Sequence, residues 1–501
     1  MNVTQFLLNT AAEIPSHPAV VFKNNPITYQ ELTEKVKRKA VGLKKFGIKN
    51  GSHVGLMMGN KPEYMVAYFA LLSIGATVVP LNPLFKESEL TYILNDSEAE
   101  ALIVDEISMA EVEKSTSQLS TVKKIFSLEP AIPFTSWQEV IGDADEFLLE
   151  PKEQEEHAQI IYTSGTTGKP KGAIITHGNL EWMTETSAKI SEITRADRIL
   201  VVLPLFHAFA KLQGMLQSVY IGITIYLEER FIPDIILQKL SDEKISIFMG
   251  VPTMYTMFVH SSKIKELEFP YLRSAGCGGA SLPMEIRDKV RAEMGVELGE
   301  GYGQTESTVM ISCFPTDVEK EFGSVGLPLP GMELKVIDPS GKEVPVGEVG
   351  EIIFKGPNAM KGYYKKPEET ASTLIDGWVH TGDLARQDER GYLYIVDRKK
   401  DMIIRGGYNV YPREIEEVLY THPDIIEGAV IGESDPVFGE EIAAYIVMKE
   451  KRTPEEIIAY CKTKLAPYKV PRKIYFLEEL PKNATGKILK APLKQKNMQP
   501  K

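Results

Sequence analysis

The sequence predicts a multidomain α/β fold built on parallel sheet, from three observations. Short apolar runs of strand length alternate with helical patterns and short loops from the first hundred residues onward, which indicates a parallel sheet covered on both faces. At 501 residues the chain is too long for one core and implies roughly two to four domains. A dense charge cluster, Asp397-Arg398-Lys399-Lys400-Asp401, leaves about a hundred residues behind it, enough for a small domain of their own.

Taken in order, Thr28 and Glu31 form a capping-box pattern, and Leu32, Val36, Ala40 and Leu43 recur at helical spacing until Gly47 supplies a stop. Val54 to Met58 reads as a strand, about Pro62 to Ser73 as a helix, and Thr77-Val78-Val79 with Pro80 as the next strand. The longest uncharged run, Tyr64 to Phe85, is interrupted by Gly75 and carries Pro80 and Pro83 near its end, so it reads as a buried helix followed by a strand, not a membrane span. Leu200 to Leu205 is a strand ending at Phe206-His207-Ala208-Phe209, and Gly323 to Phe354 is β-rich. Beyond the charge cluster come the turn Gly406-Gly407, an amphipathic helix over Arg413 to Tyr420, strands Ala429 to Gly432 and Ile442 to Met448, and a helix opened by Thr453, Pro454 and Glu456.

Composition excludes several classes. Charged residues at 25% and hydrophobic ones at 43% are ordinary for a globular protein, and a net charge of -12 argues against nucleic acid as a partner. Cys277, Cys313 and Cys461 form no CxxC pair, so neither disulfides nor zinc are indicated and a cytoplasmic location fits best. The start lacks the basic region and apolar core of a signal peptide.

One stretch suits phosphate: Tyr162-Thr163-Ser164-Gly165-Thr166-Thr167-Gly168-Lys169-Pro170-Lys171-Gly172, flanked on both sides by apolar strand residues. Its glycines let backbone N–H groups converge on an anion, its hydroxyls add donors, and Lys169 and Lys171 add charge. Two residues, not four, separate Gly165 from Gly168, and Pro170 follows the lysine, which excludes a nucleoside-triphosphatase P-loop. In Ser274-Ala275-Gly276-Cys277-Gly278-Gly279-Ala280, small residues leave backbone bare for a ligand or for tight packing. Glu300-Gly301-Tyr302-Gly303-Gln304-Thr305-Glu306 is a second specific motif, in which Glu306 taken alone reads as an exposed loop carboxylate.

These motifs, with Gly382-Asp383 and Thr485-Gly486-Lys487 further on, resemble the adenylate-forming superfamily of acyl-CoA synthetases over essentially the whole chain. The resemblance implies a large N-terminal domain over 1–396, of two α/β parallel-sheet subdomains and a small β-barrel at about 320–396, then a hinge at 397–401 and a mobile α+β domain over 402–501. It implies ATP and CoA as co-substrates, Mg2+ as cofactor, and conversion of a carboxylic acid to an acyl-adenylate and then a thioester. By the same resemblance Thr163 to Lys171 and Gly279, Ala280, Tyr302, Gly303, Gln304, Thr305, Asp383 and Arg398 bind the nucleotide, Asp383 through the ribose hydroxyls. Glu306 and Thr163 hold the metal; His207, Gly278 and Gly279 wall the acyl pocket; Lys400 is the hinge; Gly406 and Gly407 face CoA; Lys487 acts between carboxylate and α-phosphate. Leu200 to Leu227 contains no aspartate, which disfavours an amino-acid substrate, and Ile404 stands where luciferases carry an oxidative lysine. The acid is expected to be a medium- to long-chain fatty acid, with aryl acids as the alternative and a non-catalytic adenylate sensor less favoured. Lys211 stands where some long-chain enzymes place an aromatic gate. Homodimerisation and peripheral membrane contact stay open.

Overall fold

The computed structural model describes residues 1–163, 169–316, 318–321 and 323–496, and shows a mixed α/β protein with parallel sheets and a small C-terminal domain. The phosphate-loop residues Ser164, Gly165, Thr166, Thr167 and Gly168 lie outside the described residues. Among the described ones, an eight-stranded sheet runs Gly362–Tyr363, Lys171–Thr176, His157–Thr163, Thr77–Leu81, His53–Met57, Ala101–Val104, Lys124–Ser127, Thr135–Ser136. It is parallel from His157–Thr163 to its last strand and antiparallel at the opposite edge. The phosphate-loop motif therefore joins an antiparallel pair, with Thr163 opposite Lys171. A seven-stranded sheet follows the order Leu298–Glu300, Ser274–Cys277, Ile247–Gly250, Arg198–Val201, Thr224–Leu227, Pro18–Phe22, Asn25–Thr28, parallel except for its final pair.

The helix Pro62–Ser73 is buried at every residue but Glu63. A helix apolar all round needs apolar surface on all sides, and it finds this between the sheets. Its Phe69 and Leu72 share one core with Val54 and Val78 of the first sheet and Ile199 and Ile247 of the second, each such burial stabilising by roughly 1.5–3 kcal/mol. The uncharged run thus continues into the strand Thr77–Leu81, and no described helix is long and apolar enough to cross a membrane. The helix Tyr29–Lys45 has the capping box foreseen, worth about 1 kcal/mol: the Glu31 N–H donates to Thr28 Oγ1, and the Thr28 N–H donates to the Glu31 carboxylate.

Antiparallel strands Glu333–Ile337, Gly350–Lys355, Leu374–Ile375, Trp378–Gln387 and Leu393–Arg398 make a five-stranded sheet in the β-rich region. Its last strand, Leu393–Arg398, runs two residues into the charge cluster. That extension sets Arg398 directly across from Asp383. The C-terminal domain has its own five-stranded sheet, helices Pro412–Tyr420 and Pro454–Lys462, and a separate core around Ile403, Ile415, Leu419, Ile442 and Ile457.

Candidate active site

A cavity of about 1820 Å³ opens at the C-terminal ends of strands Ser274–Cys277 and Leu298–Glu300, between them, the antiparallel sheet and the C-terminal domain. Crevices at strand C-termini are the usual ligand site of open α/β sheets. At one end the Tyr302 hydroxyl donates to Asp383 Oδ2 at 2.7 Å, and Arg398 Nε lies 3.6 Å from Asp383 Oδ1. Burial, then the Asp383 charge, pushes the Tyr302 hydroxyl well above its usual range, so it stays a donor. Gly303 is fixed by sterics, since a Cβ there would meet the Val309 carbonyl oxygen at 1.9 Å. The turn that makes this approach is strained: Thr308 and Val309 have φ of 52° and 101°, the latter rare for a β-branched residue.

Towards the middle, Thr163, Lys171, Gln304, Thr305 and Glu306 line the cavity. Glu306 Oε1 accepts from the Tyr363 hydroxyl at 2.7 Å, and Lys171 Nζ stands 5.1 Å from the Tyr363 ring centre. Lys169 is not part of this lining; its Nζ sits 5.1 Å from the ring centre of Tyr92. No group of three metal-binding side chains occurs among the described residues. A lone carboxylate and a hydroxyl, Glu306 and Thr163, fit Mg2+, which takes few carboxylates and completes its shell with water and substrate phosphates.

Gly278, Gly279 and Ala280 form one wall, with Gly279 at φ 81° and Phe209 against Gly278. His207 Nδ1 accepts from the Phe209 N–H at 3.4 Å, which leaves Nε2 to carry the proton of the neutral ring. Burial first, then Lys211 and Lys487, pushes the His207 pKa down to about 4, so the ring is neutral at working pH.

Lys487 is brought in by the C-terminal domain. Its N–H donates to Asn483 Oδ1 at 2.9 Å, closing a turn whose Gly486, at φ 85°, accepts at its carbonyl from Thr253 Oγ1 of the large domain at 3.1 Å. A Cβ on Gly486 would lie 2.8 Å from that hydroxyl, so the docking needs glycine twice over. Burial, then Arg398, pushes the Lys487 pKa down to about 7, partly offset by Asp383. Lys400 lines the cavity from the turn after Leu393–Arg398, whereas Gly406 and Gly407 do not line it.

Lys211 is no gate. It is 1% exposed, its Nζ lies 5.3 Å from the Tyr68 ring centre, and it has no hydrogen-bond partner among the described residues. Burial holds its pKa well below the usual lysine range, and its amine is left as an unsatisfied buried donor. Lys211→Met is expected to raise unfolding stability by about 1–3 kcal/mol, read in thermal or denaturant melts; a lower melting point would contradict this burial. Sequence reasoning missed Tyr363 and Thr253, whose roles come from partners 57 and 233 residues away and leave no local pattern.

Two family models match: AMP-binding enzyme over residues 7–364 and AMP-binding enzyme C-terminal domain over residues 414–487. The chain is 36% identical to a long-chain-fatty-acid–CoA ligase of Bacillus subtilis (strain 168), over 97% of this chain and 93% of that protein. It is also 36% identical to a feruloyl-CoA synthase of Amycolatopsis sp, over 96% of each. A crystal structure of the anthranilate CoA ligase AuaEII in complex with anthranoyl-AMP superposes with a TM-score of 0.93 at 27% identity, covering 99% of this chain and 97% of that one.

Proposed function

We propose that this chain, an adenylate-forming CoA ligase of the AMP-binding enzyme family, acts on medium- to long-chain fatty acids. The observation that carries the reading is the delivery of Lys487 by the C-terminal domain into a cavity that also holds His207, Glu306 and the Asp383–Arg398 pair. Beyond His207 the same cavity is lined by Ile190, Phe206, Phe209, Met249 and Met310, which supports an apolar acyl group. Aryl acids are the second reading, favoured by the likeness to the feruloyl and anthranilate enzymes. A panel of fatty and aryl acids with ATP, Mg2+ and CoA, scored by thioester formed, tests it. The fatty-acid claim predicts highest kcat/KM for aliphatic acids, and an aryl optimum overturns that claim.

In the proposed reaction the carboxylate attacks the α-phosphorus, pyrophosphate leaves, and a thiol then attacks the acyl carbon of the adenylate and expels AMP. No covalent protein nucleophile takes part. Asp383, acceptor-only, holds the ribose hydroxyls while Tyr302 lies along the purine. The His207 Nε2–H orients the carboxylate, and Lys487 neutralises charge where carboxylate and α-phosphate meet. Glu306 and Thr163 would hold Mg2+, which would supply further charge neutralisation on the phosphates. The turn at Lys400 is the hinge about which the C-terminal domain carries Lys487 away and brings the Gly406-Gly407 face to the thiol.

A pH dependence follows. Lysine loses its charge above its pKa, so kcat/KM for adenylate formation is expected to fall as pH rises through about 7. Lys487→Arg should lose this limb, because guanidinium stays charged. A wild-type profile rising through that window would contradict the ammonium role.

A further inference from the structure

The acyl side of the cavity holds a polar group whose partner suits it poorly. Gln213 lies in the π-helix Ala210–Leu216, a winding often found at functional sites, and lines the cavity. Its amide nitrogen meets the sulfur of Met310 at 3.0 Å, and a thioether is a weak acceptor. Gln217 lines the same wall yet is properly engaged, its Nε2 donating to Ser191 Oγ at 3.0 Å. The helix holds Gln213 in place. Gly214 sits so close to the strand Arg198–Val201 that a Cβ there would lie 2.9 Å from a Val201 methyl, and this contact keeps the neighbouring glutamine in the cavity wall.

A hydrocarbon laid along Phe209, Met249 and Met310 strips water from the Gln213 amide and returns no acceptor. An oxygen at the same point would satisfy the donor.

We propose that Gln213 is a specificity-determining residue, donating a hydrogen bond to an oxygen on the acyl part of the substrate and so selecting oxygen-bearing acids over plain hydrocarbon ones. This rests on the ligase reading and deepens it. The shared chemistry is an acceptor oxygen, carried by an aliphatic chain or an aromatic ring.

The test measures kcat/KM for acid-dependent AMP formation, with CoA and Mg2+, for two pairs: octanoate against 7-oxooctanoate, and cinnamate against 4-methoxycinnamate. Both probe oxygens only accept. Wild type should prefer the oxygen-bearing member of one pair by about tenfold, mainly through KM, and that pair identifies the source. Gln213→Met should lose the preference for want of a donor. Gln213→Glu, of nearly the same size and shape, should lose it at pH about 8 because a carboxylate only accepts, which guards against a misfolded first variant. Equal kcat/KM within both pairs, or a preference surviving in Gln213→Met, overturns the assignment while leaving the ligase reading standing. No acid-dependent AMP from any of the four acids overturns both.

Discussion

Lys487→Ala is expected to slow acyl-adenylate formation by roughly a hundred- to a thousandfold, the usual cost of removing a group aimed at developing charge. The backbone of Lys487 is held by a turn that docks through Gly486 onto Thr253. The lowered pKa of Lys487 marks a desolvated site in which a charge acts more strongly than in water. Thioester formation from preformed acyl-adenylate and CoA should be nearly unchanged, since the proposed swing takes Lys487 out of the site before that step. Equal slowing of both half-reactions would show that the substitution damages the fold or the cavity instead.

Lys400→Pro is expected to have the opposite signature. Lys400 sits in the turn between Leu393–Arg398 and Ile403–Arg405, where Asp401 and Met402 N–H groups both donate to the Arg398 carbonyl. Proline fixes φ near −65° and restricts the residue before it, which removes the rotation a hinge must absorb. Thioester formation should slow by roughly tenfold or more, with adenylate formation changed far less. Single-turnover assays of each half-reaction measure the split. Loss of adenylation with thioester formation retained would place the hinge elsewhere.

The residues that carry local signals were legible. Thr28 with Glu31 and Thr453 with Glu456 cap their helices as read, because a capping box is closed within four residues. The uncharged run from Tyr64 resolves into helix and strand because Gly75, at φ 79°, separates them, while Pro80 is carried inside the strand Thr77–Leu81. Strand ends were less legible: Leu393–Arg398 runs into the charge cluster because Asp397 and Arg398 find cross-strand partners in Leu384 and Asp383, a tertiary effect that outweighs their turn preference. At the site, the Tyr302–Asp383 bond spans 81 residues, and Tyr363 reaches Glu306 from a short edge strand with no motif of its own. Lys211 and Gln213 are two residues apart in one π-helix, yet the first turns to the Tyr68 ring and the second to the cavity. Nothing in their spacing announces that division.

The central claim is that this cavity makes an acyl-adenylate and then a CoA thioester. Phosphorus NMR of the nucleotide products, with ATP, Mg2+, CoA and a fatty acid, tests it most directly. The account predicts AMP and pyrophosphate in equal amounts, matched by acyl-CoA and dependent on the acid. ADP and phosphate, or AMP formed without acid, would contradict it.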